Sequence, residues 1–255
     1  MEAPPSPLGC TFRHMHVPRI LWRRLGRIGL YTIIVAVVAP WFLVLSLSFA
    51  QPPTTAVMLA RTVQRTFQGK WPFYPRRDVV PHRLIAPILH RAVLAAEDDR
   101  FFLHYGLDFI EIENARERRR RGRRLRGAST ITQQVAKNLF LWEGRSFVRK
   151  GLEAYIALVL ETCLTKERIL DLYLNLAEMG DGVFGAEAAA RYYFRKPAAR
   201  LTRDEAARLA AVLPAPRRWS PQGAVARRRA EIILQRMYYA APREEAPEPS
   251  RRRRR

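Results

Sequence analysis

A chain of 255 residues has room for one substantial domain with short extensions. Its 45 Lys and Arg against 23 Asp and Glu leave a net charge of +22, which calls for an acidic partner or surface. Two cysteines exclude a disulfide-stapled fold, so a hydrophobic core must hold the domain together.

Residues 1–29 read as a short basic tail, with Arg13, Arg19, Arg23, Arg24 and Arg27 leading into an apolar run. Residues 30–50 carry no charged side chain and are long enough to cross a hydrocarbon core of about 30 Å at about 1.5 Å per residue. Pro40 is tolerated in such a span. The cationic flank places the N-terminus in the cytoplasm and everything after residue 50 outside it. Ser48-Phe49-Ala50 has the small-residue spacing of a signal-peptidase site, but the apolar run exceeds a usual signal core, which favours an uncleaved anchor. Cys10 and Cys163 then lie on opposite sides of the membrane and cannot pair.

Residues 51–81, rich in Pro and aromatic side chains, read as a juxtamembrane connector. Residues 82–239 are helical almost throughout. The stripe Ile85, Ile88, Leu89, Ala92, Val93, Ala96 has i, i+3, i+4 spacing. Helices are predicted over 129–142, over 146–164 with Val148, Leu152, Ile156, Val159 and Leu160 inward, and over 166–179. Further helices are expected over 185–194, over 202–213 behind a Thr202/Glu205 capping box, and over 224–239. No long alternating β-branched run is present, so the domain is expected to be all-α with no sizeable sheet. Residues 240–255 read as a disordered basic tail. Residues 115–126 hold eight arginines against Glu117, a run not expected to pack. An exported domain seldom meets nucleic acid, and anionic phospholipid headgroups or a phosphorylated lipid suit this charge better.

Three clusters carry chemistry. Glu97-Asp98-Asp99 ends the first apolar stripe, and Glu97, at the edge of the buried face, is placed where desolvation can tune a general base. On the next helix Thr130, Gln133, Gln134, Lys137 and Asn138 form a polar stripe suited to sugar hydroxyls and phosphate oxygens. Arg149, Lys150 and Glu153 share one side of the following helix, a carboxylate among cations that could meet a pyrophosphate.

Together these segments resemble the peptidoglycan glycosyltransferases of glycosyltransferase family 51. The likeness rests on Glu97-Asp98-x-x-Phe101-x-x-His104-x-Gly106, on Gly127-x-Ser129-Thr130-Ile131-Thr132-Gln133-Gln134, on Arg149-Lys150-x-x-Glu153 and on Leu172-Tyr173-Leu174-Asn175. It runs from about Pro81 to Pro221 and is strongest to the monofunctional members. The resemblance implies a lysozyme-like all-α domain behind a transmembrane helix, in the bacterial inner membrane with the catalytic domain on the periplasmic side. The implied substrates are lipid II and the nascent glycan chain, joined in β-1,4 linkage with release of undecaprenyl pyrophosphate.

In that scheme Glu97 is the base for the acceptor 4-hydroxyl and Glu153 the second carboxylate, near the leaving group. Lys137, Arg145, Arg149 and Lys150 neutralise pyrophosphate, while Ser129, Thr130, Gln133, Gln134 and Asn138 position sugar and phosphate. Asp98 and Asp99 receive no catalytic role, and His104 is expected to order the loop beneath the triplet. Membrane phospholipid and other cell-wall synthesis proteins are the further partners considered. No metal site is readable; no cofactor is required with certainty, and a divalent cation stays open. Transpeptidase motifs of the S-x-x-K kind are missing, so glycan polymerisation without peptide cross-linking is expected. A lytic enzyme of lysozyme type and a non-enzymatic basic tether remain as alternatives.

Overall fold

The computed structural model describes residues 19–69, 73–122, 127, 129–144 and 146–240. Two compact units meet between Phe42 and Leu43. Helix α1 (Arg19–Ser46) fills the described part of the first unit, and its last turn belongs to the second. Within it, Arg27–Ser46 is long and apolar enough to cross a membrane, with a mean hydropathy of 2.4. Its apolar side chains, Leu30, Val35 and Phe42 among them, point outward. The hydroxyls of Thr32 and Ser46 bond back to the carbonyls of Ile28 and Leu43 at 2.8 and 2.7 Å, so neither needs water.

The second unit is helical, with α2 (Ala56–Phe67), α3 (Pro87–Glu97), α4 (Phe109–Arg120), α5 (Ile131–Phe140), α6 (Phe147–Cys163), α7 (Lys166–Leu176), α8 (Ala186–Phe194), α9 (Arg203–Val212) and α10 (Ala224–Ala240). α3 packs on α9 and α10, and α5 packs on α6 and α7. The predicted stripe on α3 faces this core, with Leu89, Ala92 and Val93 fully buried. Each large apolar side chain so buried contributes about 1.5–3 kcal/mol.

Several elements differ from the sequence expectation. A small sheet is present: β1 (Arg76–Arg77) pairs parallel with β3 (Val183–Phe184), which pairs antiparallel with β2 (Glu178–Gly180). β2 takes residues expected in α7, which stops at Leu176. Val148 and Leu152 are exposed rather than inward, and only Ile156, Val159 and Leu160 of that stripe are buried. The stretch read as a connector contains α2 and β1. α2 buries Val57 and Met58 in the core together with Arg61, while Leu59, Val63 and Phe67 face outward. The arginine-rich run is helical as far as Arg120; its residues 123–126 and the tail from 241 lie outside the described residues.

The predicted span is not apolar surface to its end: residues 44–50 are built into the second unit. Val44 and Leu47 join the core, and Arg168 on α7 donates to the carbonyls of Leu47 and Ala50, both at 2.8 Å. Gln51 donates to Asp171 at 2.9 Å. Asn175, buried on α7, clasps residue 80 by accepting from Val80 N–H at 3.0 Å and donating to Val80 C=O at 3.1 Å.

Candidate active site

Glu97 is the last residue of α3, half-buried, where the helix breaks into the extended Asp98. It lines a cleft of about 140 Å³ with Asp99, Glu111, Arg118, Ser129 and Thr130. Arg118 on α4 is paired with Glu111 in that wall, a placement the arginine run gave no reason to expect. Gln134 on α5 donates from Nε2 to Glu97 Oε2 at 2.9 Å, and its own Oε1 accepts from the Tyr173 hydroxyl at 3.1 Å. Tyr173 is fully buried on α7, and burial, with the carboxylates of Glu97 and Asp98, pushes its phenol well above the usual range.

The residue beside Glu97, which also lines the cleft, holds its frame. Asp98 is buried and accepts from the backbone N–H of Ile131 at 2.9 Å and from His104 Nε2 at 3.0 Å. Ile131 opens α5, so the carboxylate satisfies an N–H that has no partner within its helix and sits at the positive end of the helix dipole. His104 thus does order the loop beneath the triplet. Gly106 completes that loop at φ +76°, where an added Cβ would lie 3.2 Å from both Ala157 O and Glu161 Cγ.

The polar stripe of α5 divides in two. Thr130 and Gln133 form a capping box, and the Thr130 hydroxyl also donates to Gly106 C=O at 2.6 Å. Both are buried and engaged with backbone. Gln134, Lys137 and Asn138 instead line a second cavity of about 160 Å³, shared with Arg61, Glu143 and Tyr173. Burial pushes the Lys137 ammonium down, while Glu153 and Glu143 draw it back up.

Glu153 is buried on α6 and paired with Arg149 at 2.7 Å and with Lys150. Lys150 also donates to Ser129 Oγ at 2.8 Å. Ser129 therefore links the two carboxylate clusters, lining the Glu97 cleft while touching the cation held by Glu153. Arg145 lies outside the described residues. Among the described residues, no three His, Cys, Asp or Glu side chains group as a metal ion would require.

A family model described as Transglycosylase matches residues 63–238. The chain belongs to the transglycosylase family. It is 53% identical over 192 residues to the biosynthetic peptidoglycan transglycosylase of Escherichia coli strain ATCC 8739, covering 74% of this chain and 79% of that one. The protein of the same name from Shigella sonnei strain Ss046 matches to the same extent. The transglycosylase domain is lysozyme-like and helical, as the motifs implied. Its match begins inside α2, within the stretch read as a connector.

Sequence reasoning missed Asp98, whose role depends on a helix start 33 positions away. It also gave no function to Tyr173, although that residue stood inside a quoted motif. The six-residue spacing of Asp98 and His104 was the available signal for the first; nothing local marked the second.

Proposed function

We propose that the chain is a membrane-anchored peptidoglycan glycosyltransferase that polymerises lipid II onto a growing glycan strand. The observation that carries this reading is the linkage through Ser129: a half-buried carboxylate, Glu97, shares a cleft with a hydroxyl tied to the Lys150–Glu153 pair. On this reading base chemistry at Glu97 and cationic stabilisation at Lys150 act on either side of Ser129. In the proposed reaction Glu97 takes the proton of the acceptor 4-hydroxyl as that oxygen bonds to the donor's anomeric carbon. The bond from that carbon to pyrophosphate breaks on the opposite face, inverting the centre and releasing undecaprenyl pyrophosphate. Lys150, Arg149 and Lys137 stabilise the charge that develops on the leaving oxygens.

A lipid substrate requires work at a membrane surface. Beside the cleft, Phe102, Leu103, Phe109 and Ile110 are exposed, as are Arg116, Arg119 and Arg120 on α4 and Arg121 just after it. Apolar side chains bordered by guanidinium groups suit a bilayer with anionic headgroups. On this reading the N-terminus is cytoplasmic and the domain periplasmic, an orientation supported by the basic residues ahead of the apolar helix.

The deciding experiment supplies purified full-length chain with lipid II and measures glycan strand formation. Glu97→Gln should abolish polymerisation while leaving the circular dichroism spectrum and membrane association intact. Cleavage of purified cell wall by the wild-type chain, with no polymer made from lipid II, would instead establish a lytic enzyme.

A further inference from the structure

Glu97 is reached by a chain of two side chains from different helices, Tyr173 on α7 and Gln134 on α5. A glutamine amide has two ends of opposite character and can turn over, so its neighbours decide which end faces which. Here both neighbours agree. An ionised Glu97 requires the NH₂ end. The buried Tyr173 hydroxyl requires an acceptor for its proton, and the amide oxygen is the one it meets. Turning the amide over would set oxygen against carboxylate and leave a buried O–H unsatisfied.

We propose that Tyr173 is a positioning residue for glycosyl transfer, holding the Gln134 amide so that it always donates to Glu97. This rests on Glu97 being the base. An amide locked as a donor favours the ionised carboxylate and disfavours the protonated one. It thus keeps Glu97 ready to accept a proton and helps it discharge that proton after each transfer. Without the lock, the amide turns to accept from protonated Glu97 and stabilises the spent form. The phenol suits the task because burial keeps it protonated, and hence a donor, across the working range.

Other charges line the same cleft, Asp98 and Asp99 beside Glu97 and Asp108, Glu111 and Arg118 from the α4 side, and Arg236 of α10 donates to Ala95 C=O near the end of α3. Substituting Tyr173 leaves these side chains in place, and comparison with Gln134→Leu isolates the part of any shift carried by the relay.

The test compares Tyr173→Phe, Gln134→Leu and the double variant with wild type in lipid II polymerisation from pH 5 to 9. Tyr173→Phe should lower kcat several-fold with KM little changed, and move the acid limb of the pH–rate profile upward by about half a unit or more, the direction set by losing a hydrogen bond to the charged form. Gln134→Leu should shift the limb the same way, and the double variant should go no further than the larger single effect. A Tyr173→Phe enzyme with the wild-type profile overturns the proposal. If Tyr173→Phe does not fold, as judged by circular dichroism, an unshifted Gln134→Leu profile overturns it equally. Glu97→Gln run alongside separates the two ideas: retained activity there removes the base assignment, whereas its loss with a normal Tyr173→Phe profile removes only the relay.

Discussion

The carboxylate of Asp98 meets the backbone N–H of Ile131 at 2.9 Å, and this contact fastens the acidic triplet to the first turn of α5. The same side chain holds His104. One residue thereby sets the relative position of α3, which carries Glu97, and of α5, which carries Gln134, Lys137 and Asn138.

Asp98→Ala strands a helix-start N–H and a buried imidazole together. Each unsatisfied buried group costs about 1–3 kcal/mol. Chemical denaturation should therefore show a loss in that range or above it, with polymerisation falling because Glu97 and Gln134 no longer register. Asp98→Asn keeps one acceptor oxygen and should lose clearly less stability.

Thr130 was expected to touch substrate, but its hydroxyl is engaged by Gly106 C=O and Gln133 N–H. The expected outcome is that Thr130→Ser preserves both bonds and near-wild-type turnover. Thr130→Ala should cost about 0.5–2 kcal/mol through the lost cap, with activity declining in step with the folded fraction. A Thr130→Ala protein of unchanged stability but much weaker substrate binding would restore the substrate role.

Arg149 and Lys150 share Glu153 but differ in exposure, their side chains being 12% and 46% exposed. An exposed pair contributes about 0–1 kcal/mol, whereas removing one partner of a buried pair costs more. Lys150→Met should leave the melting temperature nearly unchanged while depressing turnover of lipid II. Arg149→Met should lower both. Equal melting losses in the two variants would contradict the difference in burial.

These contacts also show which parts of the molecule the sequence could reveal. The α3 stripe and the Thr202/Glu205 box were legible because each is a local pattern, and both stand in the structure. Glu97 and Glu153 stood out by their helix positions and neighbours, and the roles proposed for them came from the motif resemblance. Asp98 escaped because its partners, Ile131 and His104, come from other elements. Val148 and Leu152 misled because the first turns of α6 project beyond the core, so an apolar period there has nothing to pack against. α2 was missed for another reason: its inner face carries Arg61 beside Val57 and Met58, and that charge is answered by Glu143 and Glu178 from distant parts of the chain.

Cleavage after Ala50 would remove Val44 and Leu47 from the core and two acceptors from Arg168. The anchor should accordingly stay attached in cells, and mass spectrometry of the membrane fraction should find the N-terminal segment on the mature chain. A variant truncated to begin at Gln51 should be less stable than the full chain in the same detergent. Equal melting temperatures would mean that these contacts contribute nothing.

The pair His82 and His90 gives the fold a defined acid response. His90 Nδ1 faces Ala86 C=O and Nε2 faces His82 Nδ1, each at 3.2 Å, an arrangement suited to a neutral His90 that donates through Nδ1 and accepts through Nε2. Burial, with the neighbouring His82, lowers its pKa from 6.5 to about 4. Between those values the unfolded chain binds the proton and the folded chain does not, so stability is full above 6.5 and declines as pH falls toward 4. The contribution is at most about 3.5 kcal/mol, from about 1.4 kcal/mol per pKa unit, and solvent screening reduces it. His90→Leu cannot take up that proton. Thermal melts of detergent-solubilised chain at pH 7, 6, 5 and 4 should fall less steeply for the variant than for wild type. Parallel curves would show that the imidazole is protonated in the folded chain as readily as in the unfolded one.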